Sequence, residues 1–285
     1  MPPGDFFDYD PIDRRALRLT TVLDLVLAAG AVAVLGAWLA GRPLFYSATA
    51  PVLSSFTALS LLVMVAVRQA RLHLETWPLV LSLAMIGLVL GGNVSSILML
   101  ATTPAELWAS FPGLVLTSTL TSIGLVVFCA YDLVIVLRRT PDSAFILDDL
   151  LLHLALVPGG LSLLGYLLGN PTYLRVHADP RVGISPLEMA FMGLYAAGAV
   201  MSNPQLFLWR FLAAGWTNRL VFAGLFANQF VAPVVVALAL ARPGASGPGV
   251  ESFVMLAGVI TTMAFLLVQA RLKARAVGTG GAVGA

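Results

Sequence analysis

The chain has 285 residues, of which 59% are hydrophobic and only 11% charged, and its mean hydropathy is +0.93. Soluble domains carry about 25% charged residues, so this chain lacks the polar surface that a water-soluble fold needs and reads as an integral membrane protein. Its formal net charge of +2 says little by itself, and nucleic acid is not an expected partner. The bilayer is.

In chain order, residues 1–18 form an arm that is first acidic (Asp5, Asp8, Asp10, Asp13) and then basic (Arg14, Arg15, Arg18). The apolar run after it has no small-residue cleavage site and reads as a retained first span. A bilayer core of about 30 Å takes about 20 apolar residues as helix. That window gives eight spans, at residues 19–40, 54–70, 77–101, 113–137, 150–169, 185–202, 220–241 and 251–270. The expected fold class is therefore all-α, a polytopic membrane helix bundle of about eight transmembrane helices. The single Cys129 lies inside an apolar run and reads as a packing residue.

If the N-terminus is cytoplasmic, twelve basic residues fall on that side (Arg14, Arg15, Arg18, Arg68, Arg71, Arg138, Arg139, Arg210, Arg219, Arg271, Lys273, Arg275) against four on the other (Arg42, Arg175, Arg181, Arg242). The positive-inside rule then puts both termini in the cytoplasm. Trp38, Phe45, Tyr46, Trp108 and Tyr173 mark one interface and Trp77, Trp209 and Trp216 the other, as an aromatic belt does. Abundant Ala, Gly, Leu and Val, with Arg almost to the exclusion of Lys, suggests a GC-rich bacterial genome and hence the bacterial inner membrane.

Spans 1 and 5 leave the membrane through similar sequences, Gly41-Arg42-Pro43 and Gly169-Asn170-Pro171, and each is followed by a loop and a short Ser-led span. This predicts two parallel four-helix repeats, residues 19–141 and 142–275, between the arm at 1–18 and a disordered Gly-rich tail at 276–285. Within the second repeat, Gly183–Pro204 stands out. Ser185 suits a helix N-cap, Pro186 suits the first helical position, and Glu188 is a carboxylate inside an otherwise apolar run.

An ionisable group inside a span must face protein or water. Glu188, with Arg175 and Arg181 as its nearest candidate partners, is level with Asn93, Ser95 and Ser96 of span 3. Thr117, Ser118, Thr119 and Thr121 of span 4, and Ser54, Ser55 and Thr57 of span 2, lie at the same depth. Asn228 and Gln229 sit nearer the middle of span 7. The outer half is thus expected to be polar inside and the inner half mostly aliphatic. Either a water-accessible cavity, with Glu188, Asn93, Thr117 and Asn228 as ligand-binding residues, or interhelical hydrogen bonding accounts for the polar half. Asp24, Asp132 and His153 are the intramembrane ionisable groups near the inner ends. They read as a proton relay or cation site, or as helix-end charges paired with Arg18, Arg138 or Arg139.

His73, His153 and His177 have no partner at metal-ligand spacing, so no metal site is expected; His153 alone can serve as an axial ligand to a tetrapyrrole. No cofactor is identified. HExxH, GxSxG and Walker motifs are absent, and Lys273 lies outside the spans. No enzyme is expected.

The Ser54–Gln69 stretch, with its Thr57-Ala58-Leu59 start after a Gly-x-Pro exit and an outer loop, resembles the multi-span N-terminal membrane sensor regions of bacterial histidine kinases and diguanylate cyclases. Ile184–Pro204 resembles a second copy, with Leu187-Glu188-Met189 in place of Thr-Ala-Leu. No phosphoacceptor helix, ATP-binding domain or cyclase domain follows span 8. The resemblance implies a sensor-like, non-catalytic module that binds a small or lipophilic ligand in the outer half. It would act through a membrane protein partner or as a homo-oligomer. An accessory subunit of a larger energy-converting or pigment-containing membrane complex is the alternative, and a small-solute transporter a third.

Overall fold

A computed structural model of the chain describes residues 10–45, 50–74, 78–102, 117–137, 146–170, 173–174, 181–203, 206–240 and 250–280. Among the described residues the regular structure is helical throughout: α1 (Asp10–Leu39), α2 (Ser55–His73), α3 (Leu79–Thr102), α4 (Thr119–Leu137), α5 (Ile146–Ala155), α6 (Val157–Leu168), α7 (Pro186–Ser202), α8 (Phe207–Ala213), α9 (Trp216–Phe226), α10 (Ala232–Leu240) and α11 (Val250–Gly280). A π-helical turn at Ala227–Val231 joins α9 to α10.

Seven stretches are long and apolar enough to cross a membrane, namely Arg15–Leu39, Ser55–His73, Leu79–Thr102, Thr119–Leu137, Ile146–Leu168, Trp216–Ala239 and Ser252–Gln269. The chain is an all-helical, multi-pass membrane protein. The sixth expected span is α7, which has 17 residues. At 1.5 Å per residue it reaches about 25 Å, short of a hydrocarbon core of about 30 Å.

Prolines shape the two interrupted spans. Pro158 cannot donate the N–H that an unbroken helix would direct to Leu154, so the fifth span divides into α5 and α6, and the Leu156 N–H turns to the His153 carbonyl at 3.3 Å. Pro233 likewise leaves the Gln229 carbonyl without its usual donor. The turn before it widens, with the Ala232 N–H reaching back to the Ala227 carbonyl. Gly258 on α11 admits this wide turn, since a Cβ there would lie 2.7 Å from the Gln229 Cα. The segment between the sixth and seventh spans, read from sequence as a connection, contains α8. The last helix continues to Gly280, into the glycine-rich tail.

Packing follows the core-facing stripes. Leu27, Ala31 and Val34 of α1, Ala58, Leu61, Met64 and Val65 of α2, and Ile86 and Val89 of α3 form one buried core. Leu125, Phe128 and Cys129 of α4 and Phe191, Met192, Tyr195 and Ala199 of α7 complete it. α7 packs chiefly on α1, with α2 and α6 beside it. In the linear order α7 follows α6, yet it joins the first four helices as a fifth member of their bundle. A smaller cluster of Phe207, Phe211 and Leu266 joins α8 to α11.

Two polar seats along one helix

Three helices begin at the same end of the bundle, and each is capped by a serine. Ser54 Oγ accepts from the Thr57 N–H at 3.0 Å, Ser118 Oγ from the Thr121 N–H at 3.1 Å, and Ser185 Oγ from the Glu188 N–H at 3.1 Å. The spacing is the same each time, Ser-x-x-Thr, Ser-x-x-Thr and Ser-x-x-Glu. In α7 the box is reciprocal, because Glu188 Oε2 accepts from the Ser185 N–H at 3.3 Å.

The side chains at the third helical positions converge. The Thr57 hydroxyl donates to Glu188 Oε1 at 2.8 Å, and the Thr121 hydroxyl bonds the same carboxylate. The oxygens of Ser54, Thr57 and Thr117 form a triangle with edges of 2.9, 3.0 and 3.2 Å. The Thr57 hydroxyl thus has two acceptors within reach, Glu188 Oε1 and, at the longer distance, Thr117 Oγ1. Ser96 Oγ donates to the Thr117 carbonyl at 3.2 Å, and Asn93 Nδ2 to Ser60 Oγ at 3.3 Å. Glu188 is 1% exposed, and Asn93, Thr57 and Thr117 are fully buried.

The partners of Glu188 among the described residues are hydroxyls and an amide, not an arginine. Each helix N-terminus carries the equivalent of about half a positive charge. Three of them meeting here explain how a carboxylate sits inside the bundle without a cationic side chain. Arg175, one of its two expected partners, lies outside the described residues.

The second seat lies further along α7. Arg68 of α2 donates Nε to Asp24 Oδ2 at 2.9 Å and Nη2 to Asp24 Oδ1, a bidentate ion pair with α1. Gln69 Nε2 donates to Asp24 Oδ2 at 2.6 Å. The third guanidinium nitrogen, Nη1, donates to the Tyr195 carbonyl of α7 at 3.2 Å, and the guanidinium lies 4.2 Å from the Tyr195 ring centroid. The Tyr195 hydroxyl donates to Asp132 Oδ2 of α4, and its ring packs edge-on against Phe128 at 5.0 Å. Gly198 makes room for the ion pair, since a Cβ there would lie 2.7 Å from Arg68 Nη2 and 2.9 Å from Asp24 Oδ1.

Nearby, the Tyr131 hydroxyl donates to the Ala199 carbonyl at 3.3 Å, and Asn203 Nδ2 reaches Asp148 Oδ2 at 3.2 Å. Asp149 of α5 takes the N–H groups of Phe207 and Leu208 at 2.8 and 3.0 Å, capping α8 from another helix.

Several expectations change. Arg68, counted above with the cytoplasmic-side charges, lies inside α2, as the span at 54–70 implies, and is 7% exposed. Asp24 pairs with Arg68 rather than Arg18, and Asp132 is held by Tyr195. Arg138 and Arg139 lie outside the described residues. The half of the bundle expected to be aliphatic carries a continuous polar chain, because α2 and α7 bring long polar side chains to the same contact. Of the four expected ligand-binding residues, Thr117 reaches Glu188 through Thr57 and Asn93 bonds Ser60 instead. Asn228, in the widened turn, is exposed, while its neighbour Gln229 is buried and accepts from the Thr262 hydroxyl at 3.4 Å. His153 is half-buried and its Nε2 has no hydrogen-bond partner among the described residues. No three His, Cys, Asp or Glu side chains meet as a metal-ligand set among the described residues.

The seat residues that sequence reading missed are Arg68, Gln69 and Tyr195. The first two are polar residues inside a predicted span, which is a signal in itself. The triple Ser-x-x-Thr/Glu spacing was also present to be read. No protein-family model matches the chain, and no curated protein or solved structure is detectably similar to it.

Proposed function

We propose that the chain is a sensor-like, non-catalytic membrane module of eight spans, with α7 as the eighth, whose ligand-responsive element is the Glu188 seat. The observation that carries this reading is that one short helix is held by buried polar side chains at two levels, from α2 and α4. Apolar packing tolerates small slips, whereas directional hydrogen bonds break on them. A small polar or lipophilic ligand that competes for Glu188, Thr57 or Thr117 shifts α7 and transmits the change to a partner protein. In this reading the Glu188 end of the bundle faces outward and both termini are cytoplasmic.

The test uses the full chain in lipid nanodiscs, with thermal unfolding followed across a panel of small carboxylic acids, amines and quinones. A compound that raises the unfolding temperature of the wild type and fails to raise that of Glu188→Gln supports the reading. A panel without a stabilising compound, or equal stabilisation of both proteins, argues against it.

A further inference from the structure

The second seat has an unbalanced charge. It holds two carboxylates, Asp24 and Asp132, around one buried guanidinium, Arg68, and every hydrogen bond that Arg68 makes goes to Asp24 or to the Tyr195 carbonyl. Asp24 is thus fully paired, with Gln69 as a further donor. The hydrogen bond that Asp132 makes among the described residues comes from the neutral Tyr195 hydroxyl. The other groups facing it are Arg68 and Arg71 of α2, Asp24 of α1, and Cys129 and Tyr131 on its own helix α4. Arg71 is exposed at the end of α2 and gives its Nη2 to the Ile135 carbonyl at 3.3 Å. With both carboxylates ionised, the buried set would carry one unpaired negative charge, which is costly among helices surrounded by lipid.

We propose that Asp132 is a proton-binding site and that Tyr195 of α7 reports its occupancy. With the proton bound, Asp24 and Arg68 form a neutral pair and Asp132 is a neutral partner for the phenol. When the proton leaves, a second anion stands across Tyr195 from the guanidinium. Arg68 is then drawn between two carboxylates, and its bonds to the Tyr195 carbonyl and ring change with it. The ligand of this second seat is the proton itself, and the proposal stands whether or not the Glu188 seat binds a compound.

Infrared spectroscopy of the full chain in nanodiscs, with the aspartate side-chain carboxyls isotope-labelled, reads the acid form directly. Across a pH series from alkaline to mildly acidic, the expected result is a labelled carboxylic-acid carbonyl band that grows as pH falls, shifts in heavy water, is lost in Asp132→Asn, and moves in frequency in Tyr195→Phe. No such band in the wild type overturns the proposal and leaves Arg71 as the counter-charge. A band that is unchanged in Asp132→Asn overturns it too. Should Asp132→Asn fail to insert, Tyr195→Phe decides alone: an acid band that this variant does not move puts the proton on another aspartate.

Discussion

Replacing Arg68 by Met keeps an unbranched side chain in the core but removes the whole hydrogen-bonding fork. Asp24 then retains Gln69 alone. Two charge-assisted bonds at about 1.5–3 kcal/mol each give about 3–6 kcal/mol, in line with the about 3–5 kcal/mol that stranding one member of a buried ion pair costs. Asp24→Leu strands the guanidinium in the same way and should cost a similar amount. The double variant Asp24→Leu/Arg68→Met strands neither charge. It loses the contact with the Tyr195 ring and carbonyl, about 1–2 kcal/mol, and the Gln69 bond to Asp24, about 1 kcal/mol, and should still be more stable than either single variant. Reversible unfolding in mixed micelles, with the four proteins measured side by side, gives the cycle. If the costs of the two single changes add in the double, the pair is not coupled and the reading of this seat fails.

Two further predictions concern α7 itself. Gly198→Ala places a methyl against Arg68 Nη2 and Asp24 Oδ1 and should destabilise by about 1–3 kcal/mol. Gly193→Ala, whose Cβ meets nothing within 4 Å, should be neutral or gain up to about 1 kcal/mol from helix propensity; equal effects at the two sites in an unfolding assay would show that Gly198 is not a contact position. Ser185→Ala removes the acceptor for the Glu188 N–H and should cost about 1 kcal/mol, most of which Ser185→Asn, still able to cap, restores. Failure of Asn to restore stability would mean that Ser185 acts other than as a cap.

The bundle itself was legible because twenty-residue apolar runs have few alternatives. Where the reading failed, a local feature outweighed hydropathy. Pro158 divides a span whose composition is continuous, and Pro233 widens a turn by removing one donor. Ser185, Pro186 and Glu188 could be read as a helix start because capping is encoded within four residues. Shared depth was enough to pair Thr117 with Glu188, which meet through Thr57, but not to place Asn93, which bonds Ser60 instead. Rotation about the helix axis did not: Asn228 and Gln229 are equal in depth and composition, and only the π turn decides that Gln229 faces α11. Arg68 lay inside the predicted span at 54–70, but its partners were hidden for a related reason: that Asp24 of α1 and Tyr195 of α7 meet it depends on how three helices are rotated.

The two seats also constrain how α7 can move. Glu188 and Tyr195 are seven residues apart, about 10.5 Å along the axis, and after seven residues a helix returns to within about 20° of the same face. Both therefore look out from one stripe. On α2 the matching residues, Thr57 and Arg68, are eleven residues apart, about 16.5 Å. The difference of about 6 Å is spanned by the Arg68 side chain, which points back toward the start of α2 as helical side chains do. α2 and α7 thus run parallel, tied by a short hydroxyl contact at their beginnings and a long guanidinium contact further on. A slide of α7 by one residue rise strains the short tie first, because Thr57 has no length to follow, while Arg68 can extend. A rotation of α7 breaks both, since they share a stripe. A perturbation at Glu188 that slides the helix should leave the Arg68–Tyr195 contact intact, and one that rotates it should not. Measuring the Arg68–Tyr195 coupling in a Glu188→Gln background, with Arg68→Met and Tyr195→Leu as the single variants, tests for rotation: lost coupling means that α7 rotates, and undiminished coupling excludes rotation.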